Sequence, residues 1–486
     1  MLDPIERMMA MVEEVAKDPL RPITWQHQEG SGEYETRLLE TTIDKITGLL
    51  RIGFGEAGAR IISENLSADS GSKINPLIPG LRIYAFFGFC DIHHFEEVLE
   101  KLEKEIMTFV NSIAAIVHNR VHGWMGQSNK NLGNAFLVVW RVGDEKTLMQ
   151  TLNSGAIYER QKSMSVKKAS KKDDIVAAQE VDLKRVAGAD MLADRALVGY
   201  LKIIAEINRD LGILAYRKHP RLIDHDHEFK VRMGFGLHAG WAIEGAVGSI
   251  QKVDATYLSP HVNMAARLET SSKQYGVPLL LSERVFEVMS STVKEKCRRL
   301  DIVTVKGSEF PIGIYTYDCL QDQIFPSKTK PGGSKYSGSK HDGSEIASEV
   351  DASTTTPHAR NETDIKALNS SESVDDQGKS ATQDIYFAVA SDSSADIFSR
   401  DSDLLVLRKH ITKEFEVTFQ GAVDNYIAGE WRVAKPLFEK ANALMLEAAP
   451  SLEGDGPSQT ILRYMEARNF DSASVDWKGY RPLTSK

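Results

Sequence analysis

The residues of this 486-residue chain that could do chemistry fall at the ends of predicted apolar strands. Asp91 ends the apolar run Leu81–Cys90 and precedes Ile92-His93-His94-Phe95 and a predicted helix. A carboxylate at such a turn can hold a divalent cation while the N–H groups of the helix start face phosphate oxygens. An isolated aspartate in this position is more often a simple helix N-cap, so a metal site requires a second ligand.

A candidate second ligand is Asn134, the last residue of the segment Asn129-Lys130-Asn131-Leu132-Gly133-Asn134. We expect this segment to form a hairpin beside the first strand, so that positions 91 and 134 face one gap of metal size. The alternative interpretation is an ordinary hairpin turn, because Asn and Gly favour turns.

A third group of polar residues follows Thr256. Asn263 and Arg267 are four residues apart on a predicted helix and therefore share one face. An arginine beside an asparagine suits an anionic phosphate and a sugar oxygen, although an exposed face with an Arg267–Glu269 pair is the simpler alternative. Lys306 stands at a predicted strand end, where a lysine could reach outer phosphates, but this signal alone is very weak.

The elements that must position these groups alternate as strand, helix, strand hairpin, helix and strand. This order predicts an α+β ferredoxin-like (βαββαβ) unit, an antiparallel sheet with helices on one face. The predicted elements are strand 81–90, helix 96–118, hairpin 123–140, helix 191–216, strand 231–240, helix 262–274, strand 278–282, helix 283–290 and strands near 300–305 and 313–319.

Three further segments flank this unit, which we place at residues 80–321, and a fourth segment interrupts it. Residues 1–64 predict a helical stalk, because Leu39, Ile43, Ile46 and Leu50 follow coiled-coil spacing; an amphipathic helix packed on its own domain is the alternative. A charged insertion spans about residues 141–186. Residues 322–385 are poor in large apolar side chains and predict a disordered linker. Residues 386–486 predict a helical appendage with one tetratricopeptide-like helix pair.

Composition narrows the possible partners and compartment. The chain has 68 acidic and 59 basic residues, a net charge of −9, which argues against a nucleic-acid partner. Three distant cysteines without a CxxC pair favour a reducing compartment. No apolar run is long enough to cross a bilayer, so we expect a cytoplasmic location, with the cytosolic face of a membrane or a membrane-bound partner as an alternative.

Taken together, these segments resemble the class III adenylyl and guanylyl cyclases, and in particular the membrane-linked adenylyl cyclases of protists. The matching segments are FFGFCDIHHF, NKNLGNAFLVVW, VRMGFGLHAG, VDATYLSPHVNMAARLE and IVTVKG. Their order and spacing span about half of the chain. The resemblance implies two-metal cyclisation of a nucleoside triphosphate at a dimer interface, with Mg²⁺ or Mn²⁺ as the metal.

The resemblance also implies a role for each matching residue. Asp91 and the Ile92 carbonyl match metal ligands, and Asn134 stands at the second metal position. Lys130 and Thr256 match the base-reading pair, and this combination favours ATP over GTP. Asn263 would orient the ribose, Arg267 would stabilise charge on the α-phosphate, and Lys306 and Phe95 would contact the substrate.

The departures from the family pattern lie at the positions that the resemblance assigns to metal and phosphate binding. Asn134 replaces the second metal aspartate, Glu96 replaces a small hydroxyl residue, and the segment Ser259-Pro260 replaces a usual glycine. We therefore expect a chain that supplies the base-reading half of a heterodimer, with a homodimer as the alternative. A catalytically inactive regulatory subunit is the rival hypothesis. A diguanylate cyclase is disfavoured because the hairpin reads GNAF rather than a GGDEF-type turn.

Overall fold

The computed structural model describes residues 78–153, 180–223, 228–249, 251–305, 310–326 and 394–483, with short helical pieces before residue 64. Lys306, most of the predicted stalk, residues 154–179 of the insertion and residues 327–385 of the predicted linker lie outside the described residues. Among the described residues, no helix is both long and apolar enough to cross a membrane.

The fold is built on a single mixed sheet with the strand order β2-β3-β1-β4-β6-β8-β7-β9, in which β5 also pairs with β4. Four consecutive strands of this sheet, β2, β3, β1 and β4, are antiparallel neighbours in the ferredoxin-like order. This order confirms the predicted fold class. The strands are β1 Leu81–Ile92, β2 Gln127–Asn131, β3 Ala135–Asp144, β4 Met233–Ser249, β5 Lys252–Leu258, β6 Leu279–Ser282, β7 Cys297–Thr304, β8 Ile312–Tyr317 and β9 Arg481–Pro482.

The central strand β1 buries both of its faces. Side chains alternate between the two faces of a strand, so Tyr84 and Phe86 join one hydrophobic cluster while Ala85 and Phe87 join another. The same alternation turns the side chain of Asp91 to the face that carries Ala85 and Phe87. The strand therefore delivers a carboxylate at its end on a defined side of the sheet.

Helices cover both faces of this sheet rather than one. On the first face, α2 and α3 contribute Phe109, Val117 and Tyr200 to the cluster beneath β1. On the opposite face lies α5, whose Ala265 carbonyl oxygen would be 2.2 Å from a Cβ atom at Gly236 of β4. The helices between residues 95 and 294 are α1 Phe95–Leu102, α2 Ile106–Gly123, α3 Ala189–Ile207, α4 Leu211–Ala215, α5 Pro260–Tyr275, α6 Glu283–Val288 and α7 Ser291–Lys294.

Two predicted long helices are each divided. The helix predicted over 96–118 is broken by a 3₁₀ turn at Glu103–Glu105, where Glu103 adopts a positive φ of 50°. The helix predicted over 191–216 ends at Ile207 and restarts at Leu211, because Asp210 caps the new helix through the Ile213 N–H. Periodicity predicted the buried faces, but it could not locate these breaks.

The C-terminal residues pack on the sheet and belong to the same compact unit as residues 1–326. Their elements are α8 Ser394–Arg400, α9 Ser402–Arg408, α10 Lys413–Ile427, α11 Trp431–Ala448, α12 Gly456–Glu466 and the short strand β9. Phe419 and Phe438 of α10 and α11 share one hydrophobic cluster with Leu280 and Ile314 of the sheet. We call residues 394–483 the C-terminal module.

Buried ion pairs reinforce this attachment. Arg298 of β7 donates to Asp318, with Nη2–Oδ1 at 2.8 Å, and to Asp455 of the module, with Nη2–Oδ1 at 2.6 Å. Lys202 of α3 donates to Asp401 and Asp403 at 2.6 and 2.8 Å. Removing one member of such a pair leaves an uncompensated buried charge, so these contacts fix how the module sits.

Replacing Phe419 with alanine should destabilise the protein by about 3–5 kcal/mol, because Phe419 is fully buried where the module meets the sheet. Chemical denaturation monitored by circular dichroism would measure the loss. The matched control is Val417→Ala on the same helix, whose side chain is 61% exposed. We expect that control to change the unfolding free energy by less than about 0.5 kcal/mol. Equal losses in the two variants would contradict the interface described here.

Candidate active site

Asp91 is buried at the end of β1 and is fully satisfied within its own chain. One carboxylate oxygen accepts a hydrogen bond from the ammonium of Lys273 on α5 at 2.7 Å. The other accepts from the side-chain amide of Asn134. The Ile92 N–H also donates to the Asn134 carbonyl oxygen at 3.0 Å. The structure thus brings together three of the predicted site residues, Asp91, Ile92 and Asn134.

A buried glutamate lies beside this group. The carboxylate of Glu269 on α5 is 3.5 Å from the Lys273 ammonium and 4.0 Å from the imidazole of His93. Burial raises the pKa of Glu269 to about 7, and the charge of Asp91 adds to the effect while Lys273 opposes it. Burial and the nearby Lys273 lower the pKa of His93 to about 4, so this imidazole is neutral at pH 7.

The backbone of β4 makes room for these side chains at Gly234. A Cβ atom there would lie 2.4 Å from a Glu269 oxygen and 2.7 Å from a His93 nitrogen. Any larger residue would push the glutamate and the histidine away from Asp91. The glycine therefore lets α5 approach the sheet closely enough for Lys273 to reach Asp91.

The oxygen donors at this position are too few for two divalent cations. Asp91, the Ile92 carbonyl and the Asn134 amide offer oxygens of the kind that Mg²⁺ and Mn²⁺ bind. A second cation would need another carboxylate, and the amide at position 134 donates a hydrogen bond to Asp91 instead. Among the described residues, no cluster of three or more His, Cys, Asp or Glu side chains could hold a metal.

The predicted base-reading residues lie on two hairpins that approach each other. The amide of Asn129 on β2 donates to the Ala255 carbonyl oxygen on β5 at 3.5 Å. Lys130 and Thr256 are the next residues along these two strands, and Thr256 is buried while Lys130 is half-buried. The fold therefore brings the strand segments carrying these two residues into contact.

Asn263 and Arg267 stand on a different side of α5 from the residues that contact Asp91. The helix is capped at its start by Ser259, whose hydroxyl accepts from the His261 N–H. With about 100° of rotation per residue, Asn263 and Arg267 are roughly 80–160° around the helix from Glu269 and Lys273. Asn263 is exposed, and within the described part of the chain neither side chain has a hydrogen-bonding partner. This chain alone does not assemble all predicted site residues in one place.

The remaining predicted residues have simpler positions. Phe95 is the first residue of α1 and is half-buried against the core, which is compatible with a packing role. Glu96 is exposed in the first turn of the same helix.

Sequence reasoning missed Lys273, Glu269 and His93. The spacing of Glu269 and Lys273, four residues apart on one helix, was a visible signal for an ion pair but gave no indication of its contact with Asp91. It also missed His261, whose ring stacks on buried His238 with the ring nitrogens 2.9 Å apart.

Comparison with known proteins assigns a family to the region that contains this site. Residues 86–318 match the family described as the adenylate and guanylate cyclase catalytic domain. Residues 1–67 match a second family, the RasGEFs all helical domain. An adenylate cyclase of Anabaena cylindrica is 36% identical over 87 residues, which is 18% of this chain and 17% of that protein. The terminal-differentiation-specific adenylate cyclase of Dictyostelium discoideum is 35% identical over 86 residues, covering 18% and 4%.

The chain spans between 4% and 17% of the length of the curated relatives it matches. Among solved structures, a bacterial light-regulated adenylyl cyclase aligns with a TM-score of 0.39 at 20% identity, covering 62% of this chain and 68% of that one. The adenylyl cyclase CyaB from P. aeruginosa aligns with a TM-score of 0.33 at 18% identity, covering 49% and 95%.

The raised pKa of Glu269 predicts a pH-dependent stability. Between its ordinary value of 4.5 and about 7, the folded state retains a proton that the unfolded state has lost. The unfolding free energy should therefore fall as pH rises from 5 to 8, by on the order of 2 kcal/mol from this group. Glu269→Gln should remove that component, measured as denaturation midpoints across the pH range.

The exposed Glu100 on α1 provides the control for this measurement. Glu100→Gln should leave the pH profile of the wild type unchanged. The assignment fails if Glu269→Gln retains the wild-type slope between pH 5 and 8.

Proposed function

We propose, on the premise that residues 86–318 form a class III adenylate and guanylate cyclase catalytic domain, that this chain is an adenylyl cyclase subunit. In this proposal it takes part in converting ATP to 3′,5′-cyclic AMP and pyrophosphate at an interface with a second cyclase chain. It supplies the half of the site that reads the base and stabilises the transition state. The second chain supplies two metal-binding carboxylates, which favours a heterodimer, with a homodimer as the alternative.

The pairing of Asp91 within its own chain is the observation that carries the proposal. A carboxylate that accepts from both Lys273 and Asn134 has neither of its oxygens free of an intramolecular partner. Arg267 and Asn263, in contrast, have no such partner within the described part of the chain and face away from Asp91. Asp91 and Asn134 are hydrogen-bonded within their own chain. Asn263 and Arg267 are available to another molecule.

The proposed reaction forms a bond from the ribose 3′ oxygen to the α-phosphorus and breaks the bond to pyrophosphate. Divalent cations, when bound, would activate the 3′ oxygen and hold the triphosphate. Asn263 would orient the ribose, and the guanidinium of Arg267 would stabilise the charge that develops on the α-phosphate. Lys306, two residues after the end of β7, would neutralise the outer phosphates.

The proposed preference for ATP rests on Lys130 and Thr256. A lysine donor and a threonine hydroxyl can pair with the hydrogen-bonding edge of adenine. Thr256 is buried, so a base with the wrong donor pattern would leave its hydroxyl unpaired, and such mismatches discriminate strongly. The contact between the Asn129 and Ala255 positions supports this pairing because it holds the two strands together.

Exposed apolar side chains on two hairpins support a partner chain. Leu132, Val247 and Leu258 are 51%, 44% and 55% exposed on or beside the β2–β3 and β4–β5 hairpins. These hairpins also carry Lys130 and Thr256. Apolar side chains exposed next to the proposed base pocket suit a protein surface more than bulk water.

A catalytically inactive regulatory subunit is the second candidate, and Asn134 and Glu96, which replace the usual metal and phosphate neighbours, favour it. In that case the fold would serve as an interaction module, and the exposed hairpins would bind a partner without contributing to turnover. Both candidates require the same interface. They differ in whether Arg267 affects the rate.

Complementation between two variants of this chain tests the proposed function. The partner carries Asn134→Asp to restore the second carboxylate and Arg267→Ala to disable its own transition-state half. We expect the wild-type chain mixed with this partner to make cyclic AMP from ATP and Mn²⁺ at least tenfold faster than either alone. Introducing Arg267→Ala into the wild-type chain as well should reduce the rate by about 10²–10³-fold.

The control introduces Thr270→Ala, on the exposed side of α5, into the chain that supplies the base-reading half, which should leave the rate of the mixture unchanged. A wild-type chain that alone turns over ATP as fast as the mixture would refute the proposal that the two chains supply different halves of the site. A mixture that makes no cyclic AMP although the two chains associate would favour the regulatory subunit.

The base preference can be tested in the same mixture. Lys130→Glu with Thr256→Cys in the wild-type chain should raise the ratio of GTP to ATP turnover by about tenfold or more, because the donor pattern is reversed. The control is Thr270→Cys on the exposed side of α5. An unchanged ratio in the double variant would place base recognition elsewhere.

A further inference from the structure

The C-terminal module reaches the end of the helix that carries Asn263 and Arg267. Tyr275 is the last residue of α5, and its hydroxyl donates to the carboxylate of Asp301 on β7 at 2.7 Å. Arg481 of the module donates to the same carboxylate oxygen at 2.7 Å and to the Tyr275 hydroxyl at 2.9 Å. All three side chains are buried, so they form one enclosed unit.

The backbone around Arg481 contacts a second element of the proposed site. Strand β9 pairs in parallel with the end of β7, with Arg481 beside Val303 and Pro482 beside Thr304. The Leu483 N–H donates to the Thr304 carbonyl oxygen at 2.9 Å. Lys306 is two residues beyond Thr304, so β9 anchors the strand that leads to it.

Helix α12 holds α5 from another direction. Its first residue, Gly456, lies so close that a Cβ atom would be 2.3 Å from the Tyr275 carbonyl oxygen. The Thr460 hydroxyl donates to the Gln274 carbonyl oxygen at 2.8 Å. The last carbonyl groups of a helix lack partners within the helix, so the module supplies a partner that α5 needs.

Arg481 therefore connects two elements that the sequence separates widely. Its guanidinium links α5 to β7 through Tyr275 and Asp301, and its backbone extends the sheet at β7. Because Asp301 is fully buried, its charge requires this arginine, and the three groups hold one arrangement. A positive side chain at the C-terminal end of α5 also complements the dipole of that helix.

We propose that Arg481 is a positioning residue for the cyclase site, through which the C-terminal module fixes α5 and the end of β7 relative to each other. The inference rests on the proposed function, because Arg267 on α5 is the group that it would align. Small displacements of such groups reduce rates strongly, since their effect depends on geometry in the transition state. The module is accordingly a part of the catalytic unit rather than an accessory.

Arg481→Met in the full-length chain, assayed with the Asn134→Asp/Arg267→Ala partner, tests this inference. We expect kcat to fall at least tenfold, while KM for ATP changes less than kcat because the base pocket on the hairpins is intact. Arg481→Lys, which retains the charge but not the second donor, should recover part of kcat. Hydrogen exchange of residues 268–275 should become at least tenfold faster in Arg481→Met.

The matched control is Arg408→Met. Arg408 also joins the module to the rest of the fold, through the Lys296 carbonyl oxygen at 3.0 Å. It pairs with Glu416 within the module at 2.7 Å, and no hydrogen bond links it to α5 or β9 among the described residues. This variant should lower the unfolding midpoint without altering kcat or exchange in α5. Equal losses of kcat in the two variants, or a wild-type kcat in Arg481→Met, would overturn the inference.

Failure of the inference and failure of the proposed function give different results. If the wild-type mixture makes no cyclic AMP, the proposed function fails, and the exchange measurement still decides whether Arg481 holds α5. If the mixture is active and α5 exchanges at the wild-type rate in Arg481→Met, the positioning role alone is refuted.

Discussion

The ion pair between Asp91 and Lys273 joins the two structural layers on which the site depends. Asp91 is fixed by the alternation of side chains along β1, and Lys273 is fixed by the packing of α5 against β4. Gly234 allows this approach because a Cβ atom there would collide with Glu269 and His93. A shift of one residue in the register of β1 would turn Asp91 to the opposite face and separate it from α5.

The same packing separates two kinds of functional residue on one helix. Glu269 and Lys273 face the sheet of their own chain, where the ammonium of Lys273 forms ion pairs with Asp91 and with Glu269. Asn263 and Arg267 point elsewhere, because a helix turns by about 100° per residue. Residues on different sides of α5 therefore make different contacts, one set with the sheet of their own chain and the other set away from it.

The C-terminal module packs against the sheet and against the end of α5. Its aromatic side chains complete a hydrophobic cluster with the sheet, and its buried Asp455 and Arg481 pair with Arg298 and Asp301 of β7. Buried ion pairs contribute little net stability but strongly disfavour other arrangements, since any misplacement leaves a charge unpaired. The module therefore specifies the position of α5 and β7 in addition to stabilising the fold through its hydrophobic cluster.

The sequence alone determined the element types, the ferredoxin-like order and the identity of the family, because these follow from local periodicity and from motifs that are continuous in the chain. It also predicted that positions 91 and 134 would meet, since a hairpin beside β1 leaves few alternatives. Only the tertiary structure decided that Lys273 forms an ion pair with Asp91, that helices cover both faces of the sheet, and that Arg481 links α5 to β7. Those contacts join residues up to 206 positions apart. They depend on the close approach of whole elements, which local spacing does not encode.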